Sequence, residues 1–488
     1  MQAKTSAIEN QVIQVAAFAK SDVASTTQTA KSAIVIGAGI AGLLTARVLS
    51  EHFTSVRLIE RDELSDEPKA RKGIPQGHYV HQMLMRGRCA LEALFPGLEQ
   101  ELIDLGAVPL DWYGDLHWLG PSGWMTRSEK GFATWSTSRD LLVFIVRRRV
   151  LALVGIELLA QCDVLRLETD KQRARVCGVH IHNRSHEGLL TSDAMLQADL
   201  VIDASGRSSH APTWLAELGY DKPQETVVNA FVGYASRIYR APQQQASSEW
   251  KALVIHSKPP TCARSGTIFP IEGGRWIVTL TGAQRDYPPG DESGFLEFAR
   301  SLRSAALYDA IFDAEPISSI HQYRRTENRW RHYEKMREWP QGFAVVGDAL
   351  CSFNPVYGQG MTVAAVTALL LQTHLRAKQN ASALGPSFRR ELVAVTANAW
   401  TMSTGVDFRY PGTEGAVLHW YTRLVQRYMD QVLCLAAERP DVYRRFLHVM
   451  HMMAPPTALF APPVAIQVMT RWVKQWFGAH KFKLPTAA

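Results

Sequence analysis

The sequence predicts an α/β fold: a parallel sheet covered by helices, an inserted domain built on an antiparallel sheet, and a helical C-terminal region. Three observations predict it. The short apolar runs Ala33–Ile36 and Phe343–Val346 have the composition of parallel strands buried on both faces. Residues 231–283 contain strand-like runs with a hairpin signal at Glu272–Gly274. From about Ala381 onward, apolar and basic residues interleave at helical spacing.

The first element is a strand, a glycine turn, a helix and a second strand, over residues 32–60. Gly37, Gly39 and Gly42 fit the pattern Gly-x-Gly-x-x-Gly. In that pattern the first glycine allows a tight turn, the second lets a pyrophosphate approach, and the third lets helix and strand pack closely. Framed by two strands, the pattern predicts a Rossmann-type dinucleotide-binding unit. A glycine-rich turn in another kind of α/β protein is the alternative.

Groups at both ends of this unit indicate its ligand. Ile40 and Ala41, at the helix start, present free N–H groups and the positive end of the helix dipole to phosphate. Glu60 closes the second strand 18 residues after Gly42, close to the ~20 expected for an acid that binds a ribose hydroxyl. We therefore expect an adenine dinucleotide and place Glu60 and the adjacent Arg61 in its site.

A second motif lies far downstream, in residues 342–366. Asp348 follows a buried strand, and an alanine-rich helix begins after Gly360. A carboxylate at a strand end suits sugar hydroxyls, and a glycine turn before a helix offers N–H groups to an electron-rich ring edge. Taken alone, Asp348 is also compatible with a helix N-cap.

The segment GFAVVGDALCSFNPVYGQGM resembles the second FAD fingerprint of flavoprotein monooxygenases of the para-hydroxybenzoate hydroxylase type. The resemblance implies a Rossmann-type FAD-binding domain, with Asp348 at the ribityl or pyrophosphate part of FAD. It places Pro355, Gly358 and Gly360, with the adjacent Met361, against the isoalloxazine ring. It also implies NAD(P)H as a transient co-substrate without a domain of its own.

Two further segments resemble the same family. Residues 198–209 look like its middle motif, which implies that Asp203 and Gly206 touch FAD. The order Asp-Ala-Ser-Gly also suits a plain strand-ending turn. Arg139 matches the arginine that opens a helix in this family and reaches the cofactor, although an arginine early in a helix is more often solvated.

Residues 71–98 and 396–412, together with FNPVYGQGM, resemble one subgroup of this family. This subgroup contains the flavin-dependent epoxidases that act on polyene polyketides in polyether antibiotic pathways. The resemblance implies that the segment RKGIPQ follows the Glu60 strand and covers the flavin ring. No catalytic residue is certain, because the flavin carries the chemistry. The cofactor-binding candidates here are Arg71 and Lys72, and the flavin-loop candidates for catalysis are Arg71, Gln76 and His81.

Composition excludes several classes of protein. The 488 residues carry a net charge of +7, which we attribute to solvated surface and to attraction for anionic FAD and NADPH. A nucleic-acid partner has no support, since no Lys/Arg run exceeds Arg147–Arg149. The six cysteines show no metal spacing, so we expect free thiols, no metal and a cytoplasmic location. No apolar run is long enough to predict a transmembrane segment.

The domain boundaries follow from these assignments. Aromatic residues in 111–135 could wall a substrate cavity or belong to an ordinary core. The last helix, IQVMTRWVKQWFGAHKFK, could rest on a membrane surface or pack on the body and close a substrate tunnel. The oligomeric state stays open. We expect a disordered tail at 1–31, an FAD-binding domain from 32–110, 136–230 and 325–380, a substrate domain from 111–135 and 231–324, and a helical region at 381–488.

The resemblance implies a reaction. NAD(P)H reduces FAD, O₂ adds at the flavin C(4a) position, and the distal oxygen of this hydroperoxide goes to an electron-rich carbon. Alkene epoxidation needs no protein base, whereas phenol hydroxylation usually needs one, and no candidate base stands out. We therefore expect epoxidation of an apolar polyene, terpenoid or polyketide-like metabolite. The alternatives are an aromatic hydroxylase, a reductase or dehydrogenase of isoprenoid-like substrates, and a non-enzymatic flavin-binding protein. Flavin halogenases carry a Trp-x-Trp-x-Ile-Pro segment that this chain lacks.

Overall fold

The computed structural model describes residues 31–71, 73–185, 193–242, 249–378, 384–415 and 420–480. Within these ranges the side chains at 75, 76, 378 and 476–480 are not described. The predicted disordered tail, apart from Lys31, lies outside the described residues. The same holds for Lys72, and for the side chain of Gln76.

Strands alternate with helices in the first half of the chain and dominate the middle. In chain order they are β1 Ser32–Ile36, β2 Ser55–Ile59, β3 Val108–Asp111, β4 Leu116–Gly120, β5 Gly123–Trp124, β6 Ala133–Ser136, β7 Ile156–Leu159, β8 Cys162–Thr169, β9 Val176–Asn183, β10 Asp193–Gln197, β11 Leu200–Asp203, β12 Glu225–Asn229, β13 Gly233–Arg240, β14 Ala252–Ile255, β15 Arg264–Ile271, β16 Arg275–Gly282, β17 His321–Tyr323, β18 Asn328–Arg331, β19 Phe343–Val345, β20 Cys351–Ser352 and β21 Glu414–Gly415.

Helices cover the parallel sheet and form most of the C-terminal region. In chain order they are α1 Ile40–Leu49, α2 Met85–Leu94, α3 Leu98–Asp104, α4 Arg139–Leu151, α5 Ala211–Glu217, α6 Glu292–Arg300, α7 Ala306–Ile311, α8 Gly360–Lys378, α9 Pro386–Asp407, α10 Trp420–Glu438, α11 Pro440–Met450 and α12 Pro462–His480.

The parallel sheet has the strand order β19-β11-β1-β2-β7. β1 is its central strand, and Ala33–Ile36 are buried, as the apolar run requires. β1 runs parallel to β2 on one side and to β11 on the other. α1 packs against β1, β2, α4 and α8. This is the Rossmann-type arrangement that the glycine pattern predicts.

A second, seven-stranded sheet has the order β17-β13-β16-β15-β14-β4-β5. Its pairs are antiparallel except for β14 with β4. The predicted hairpin joins β15 to β16, and Gly273 and Gly274 turn it with φ of +73° and +63°. All seven strands come from the two ranges expected for the inserted domain, 111–135 and 231–324.

The C-terminal helices α10, α11 and α12 pack against the inserted sheet through an apolar core. Trp112, Tyr113 and Trp118 are buried in this core, while Trp135 belongs to the core of the parallel-sheet domain. Only Trp124 of the aromatic set is exposed. The aromatic residues of 111–135 therefore act mainly as core, one of the two readings that the sequence left open.

The predicted fold class is confirmed: a parallel-sheet α/β domain, an inserted antiparallel sheet and C-terminal helices. Smaller sheets complete the molecule, with strand orders β10-β9-β8, β20-β18-β12-β21 and β3-β6. Within the described ranges, every helix is too short or too polar to cross a bilayer.

Candidate functional site

The sequence motifs meet at the carboxyl edge of the parallel sheet. Neighbouring strands run in the same direction, so the residues that follow β1, β2, β11 and β19 lie along one edge. The chain passes from β1 to β2 on one side, while β11 flanks β1 on the other. A switch of this kind opens a crevice at the strand ends, where open α/β sheets bind their ligands.

The glycine turn after β1 is built for close packing on one side and open space on the other. Gly37 has φ +98°, and its N–H donates to the carbonyl of Ile59 at 2.7 Å. A Cβ at Gly42 would overlap the carbonyl oxygen of Gly37, so that helix and turn touch. A Cβ at Gly39 would meet nothing within 4 Å. The open space at Gly39 is where the pattern requires room for a pyrophosphate.

The second motif packs directly onto the first. Gly347 has φ +63°, and a Cβ there would lie 2.7 Å from the Cβ of Ala41 in the first turn of α1. A Cβ at Gly360, the start of α8, would lie 3.7 Å from a carboxylate oxygen of Asp348. The N-terminal ends of α1 and α8 and the carboxylate of Asp348 therefore border the same crevice, with two sets of free N–H groups available to an anion.

Asp348 is the carboxylate that the fold leaves available. Among the described residues no group hydrogen-bonds to it, although it lies in the short 3₁₀ turn Gly347–Ala349. Burial raises its pKa, and the charges of Arg207, Arg139 and Arg331 act in the opposite direction. A carboxylate surrounded by arginines and without a donor is suited to accept hydrogen bonds from sugar hydroxyls.

Arg139 opens α4 and is half-buried, so the solvated alternative does not hold. One Nη donates to Nε2 of His81 at 3.1 Å, while Nδ1 of His81 lies 2.8 Å from the carbonyl of Tyr79. Burial, with the charge of Arg139, lowers the pKa of His81 to about 3, so the imidazole is neutral. His81 thereby fixes the guanidinium of Arg139, whose buried Nε has no hydrogen-bond partner among the described residues.

Glu60 and Arg71 clamp the glycine turn. Glu60 accepts from the N–H of Ala38 at 2.7 Å and lies 2.5 Å from Nη2 of Arg71. Arg71 in turn donates to the carbonyl of Ala38 at 2.8 Å. Its buried Nε has no hydrogen-bond partner among the described residues and lies 3.7 Å from a carboxylate oxygen of Asp62. The neighbouring Arg61 is exposed and makes no ion pair with any described residue. The structure therefore brings Glu60 and Arg71 to the crevice but leaves the Arg61 side chain in solvent.

Asp203 and the turn that follows it lie at the end of β11, next to the crevice. Asp203 is fully buried at the end of β11 and accepts from Ser205 N at 2.9 Å and Ser209 Oγ at 2.5 Å. Burial raises its pKa. Gly206 has φ +83°, and Arg207 donates to the carbonyl of Phe353 at 3.0 Å. The carboxylate of Asp203 is thus hydrogen-bonded to residues of its own turn, whereas the side chain of Arg207 contacts the second motif.

The segment predicted to lie on the flavin ring forms a short loop, residues 354–360, which we call the Pro355 loop. Pro355 begins a 3₁₀ turn that ends at Gly358, where φ is +65°. A Cβ at Gly358 would lie 3.6 Å from the carbonyl of Gln82, so the loop touches the segment that follows His81. Met361 is buried in the first turn of α8. The two segments assigned to the flavin ring are therefore neighbours in space.

Sequence reasoning missed a buried polar network beneath the Pro355 loop. Asp407, at the end of α9, accepts from Tyr357 Oη at 2.7 Å and from Asn354 Nδ2 at 3.3 Å through one oxygen. Its other oxygen accepts from Asn328 Nδ2 at 2.6 Å. Tyr234 Oη donates to Asn354 Oδ1 at 2.5 Å. The segment VDFRYPG, which contains Asp407, carried part of the epoxidase resemblance but no residue role.

Beside this network lies a buried aromatic group, the tyrosine cluster. Tyr79, Tyr234 and Tyr323 have ring centroids 5.5–6.5 Å apart, and they pack with Val232. Burial raises the pKa of all three phenols. The hydroxyl of Tyr79 has no hydrogen-bond partner among the described residues. The cluster is therefore buried and lies next to the Pro355 loop, to which Tyr234 is hydrogen-bonded.

These features fit FAD. The open space at Gly39 matches a pyrophosphate. The Nε atoms of Arg71 and Arg139, which have no hydrogen-bond partner among the described residues, match phosphate or ring oxygens. The carboxylate of Asp348 matches ribityl hydroxyls. Of the described residues, none form a group that could hold a metal ion. The site has the donors, acceptor and shape for a dinucleotide with a sugar-alcohol linker.

Comparisons with known proteins agree with this fold. Protein Rv3254 of Mycobacterium tuberculosis is 31% identical over 421 residues, which cover 85% of this chain and 88% of that protein. The structure of the flavin-dependent brominase Bmp2 superposes with a TM-score of 0.63 at 14% identity and covers 92% of this chain and 100% of that one. The p-nitrophenol 4-monooxygenase PnpA from Pseudomonas putida gives 0.58 at 16% identity, covering 88% and 100%.

The family described as FAD binding domain matches residues 30–385, which include both glycine motifs, Asp203 and Asp348. NAD(P)H is the usual co-substrate of this family. The chain belongs to the FAD binding domain family and is an FAD-dependent enzyme of the oxidoreductase class.

Proposed function

We propose that the protein is an FAD-dependent monooxygenase that uses NAD(P)H and O₂ to insert one oxygen atom into an apolar substrate, by epoxidation of an alkene. The substrate class is a polyene, terpenoid or polyketide-like secondary metabolite. FAD, when bound and reduced by NAD(P)H, supplies the activation of O₂. The remaining tasks fall to this chain's own residues: they bind the cofactor, exclude water and orient the substrate.

We favour an alkene over a phenol as the substrate because of the ionisable groups beside the Pro355 loop. The carboxylate of Asp407 is engaged by three donors, and the phenols of the tyrosine cluster are held neutral by burial. None of these groups is free to deprotonate a phenolic substrate at neutral pH. An alkene is already electron-rich and needs no such base.

The residues around the site divide the remaining work. His81 holds Arg139 in a fixed orientation, and Arg207 ties the turn after β11 to the second motif. The Asp407 network fixes the Pro355 loop from below. The tyrosine cluster supplies an apolar wall, and burial of apolar surface at ~25 cal/mol per Å² can hold a long hydrocarbon substrate without a charged anchor.

One observation favours aromatic hydroxylation as a second candidate. His78 and His321 stack with their ring centroids 3.8 Å apart, next to Tyr79 and two residues from Tyr323. Burial lowers the pKa of both imidazoles, and an uncharged imidazole has one ring nitrogen that can accept a proton. This pair could relay the proton of a phenol toward solvent.

Turnover under ¹⁸O₂ with NADPH separates the candidates. A polyene or terpenoid alkene should give an epoxide with one labelled oxygen, and its saturated counterpart, the matched control, should give no product. A labelled phenol from an aromatic substrate would replace the epoxidase with the hydroxylase. An unlabelled product changed by two hydrogens would replace both with a reductase or dehydrogenase.

A further inference from the structure

Exposed apolar side chains line one face at the start of α10. Trp420 and Leu424 are 78% and 54% exposed, and Tyr421 and Val425 beside them are also exposed. In a helix, residues four apart lie on the same face, so these two pairs form adjacent rows. A charged or polar face is the ordinary state of a solvated helix, so this face has the composition of a contact surface.

A second row of exposed apolar side chains lies on α12. Ile466 is 64% exposed, and Met469 and Val473 follow it at helical spacing. The two helices pack against each other, and Tyr428 of α10 meets Trp472 of α12 with ring centroids 6.2 Å apart. Tyr428 follows Leu424 by one turn, and Trp472 precedes Val473. The rows therefore join into one surface, which we call the apolar stripe.

Basic side chains border the apolar stripe without acidic partners. Arg423 and Arg427 lie beside the α10 row, and Lys474 lies beside the α12 row. All three are exposed, and none forms an ion pair with a described residue. The acids of α10 are already paired, Asp430 with Arg409 and Glu438 with Arg471. Asp441, on the neighbouring α11, pairs with Arg439. The border of the stripe therefore carries uncompensated positive charge.

The charge decides which partner fits. A second copy of the chain would place the same positive border against itself, and like charges across an interface oppose association. An anionic bilayer offers apolar depth for the stripe and negative headgroups for its border. We propose that the apolar stripe docks the protein on the surface of an anionic phospholipid membrane, with α10 and α12 lying in the interface. This inference does not depend on the reaction catalysed.

Vesicle sedimentation with the full chain tests the proposal. We expect the protein to pellet with vesicles of equal parts phosphatidylcholine and phosphatidylglycerol and to stay in solution with phosphatidylcholine alone. Added salt should weaken the binding, because it screens the attraction between the basic border and the headgroups. Failure to pellet with the anionic vesicles at low salt would overturn the proposal.

Two sets of variants locate the contact. The triple variant Trp420→Ser, Leu424→Ser, Ile466→Ser should lower vesicle affinity by at least about tenfold. Its matched control changes exposed apolar residues elsewhere, Val154→Ser, Leu165→Ser and Phe312→Ser, and should bind like wild type. Neutralising Arg423, Arg427 and Lys474 to Gln should also cost at least about tenfold, whereas neutralising the exposed Lys171, Lys222 and Arg337 should not.

All these positions are exposed, so thermal melting should show each variant folded. Vesicle binding that is equal in the stripe variants and their controls would contradict the proposal. Sedimentation velocity tests whether a second copy of the chain covers the stripe instead. If the serine variants abolish a dimer but bind vesicles as wild type does, the stripe serves self-association, and membrane docking is overturned.

Discussion

Gly39 and Gly42 belong to one motif, but the structure gives them different roles. A side chain at 42 would collide with the backbone of Gly37, so this glycine is needed for the fold itself. A side chain at 39 would enter open space, so this glycine is needed only when a ligand occupies that space. The difference can be measured on the apo-protein.

We predict that Gly42→Ala destabilises the apo-protein by about 1–3 kcal/mol, because the added methyl group must displace backbone atoms. Urea unfolding followed by circular dichroism measures the free energy of unfolding. The control is Gly405→Ala in α9, where a Cβ meets nothing within 4 Å. That variant should be stabilised by about 0.5–1 kcal/mol, because alanine favours a helix. Equal effects at 42 and 405 would refute the packing argument.

Asp203 and Asp348 form a second contrast between a structural and a ligand-directed residue. Burial raises the pKa of both carboxyls. Asp203 satisfies Ser205 N and Ser209 Oγ, whereas Asp348 has no donor from the described residues. The carboxylate of Asp203 is therefore hydrogen-bonded within the protein, whereas the carboxylate of Asp348 is available to accept hydrogen bonds from a ligand.

We predict opposite effects of alanine at these two positions on the apo-protein. Asp203→Ala should lower the free energy of unfolding by about 1–3 kcal/mol, because two half-buried donors lose their acceptor. Asp348→Ala should leave it unchanged or raise it, because a partly desolvated charge is removed without orphaning a donor. Chemical denaturation of both apo-variants checks this, and a comparable loss of stability in Asp348→Ala would show that its carboxylate serves the fold.

At the scale of elements, the Pro355 loop is held by residues from three other parts of the chain. Asn328 lies on β18, Asn354 and Tyr357 on the loop, Tyr234 on β13 and Asp407 at the end of α9. Each is an ordinary residue in its own segment, and no local pattern links them. Only the folded chain brings them together, which is why the sequence did not reveal the network.

The network predicts a pH dependence of stability. Burial raises the pKa of Asp407 from 3.8 to about 6. Since the folded value lies above the ordinary one, the native state binds the proton more tightly than the unfolded chain does. The resulting stabilisation is complete below pH 3.8 and is lost as the pH rises through about 6. Denaturation as a function of pH should show wild type losing stability across this interval relative to Asp407→Asn, which cannot titrate.

Asp309→Asn, an exposed acid on α7, is the matched control and should keep the wild-type pH profile. Parallel profiles for wild type and Asp407→Asn would show that the carboxyl of Asp407 does not titrate in this interval, and that the network is not the source of the pH dependence.

Some elements could be predicted from sequence because their signals are local. The apolar run of β1, the glycine turn, and the hairpin at Glu272–Gly274 each depend on neighbouring residues. The partners of Glu60 could not be predicted in this way. An acid at this spacing points to a ribose, whereas the structure shows Glu60 in contact with Ala38 and with Arg71, a residue 11 positions further along the chain. Side-chain pairing between segments depends on geometry that a linear pattern does not contain.

For the whole molecule, composition alone could not show which aromatic residues belong to the core and which line a substrate cavity. Trp112, Trp118 and Trp135 have the same chemistry whether they line a substrate pocket or fill a core, and the structure buries them. The last helix presented the same ambiguity, since its apolar residues could face the body or a membrane. Its buried Val464 and Val468 face the body, whereas Ile466 and Met469 face outward. One face of this helix therefore packs on the body, and the other face is the one that the membrane proposal uses.

The central claim is that the ends of β1 and β19 form one binding site for FAD. Titration of the apo-protein with FAD, followed by quenching of flavin fluorescence, tests it most directly. Wild type should bind one FAD per chain. Gly39→Val, at the end of β1, and Asp348→Ala, after β19, should each weaken binding by at least about tenfold, whereas the exposed control Asp309→Asn should not. Wild-type affinity in either of the first two variants would contradict the claim.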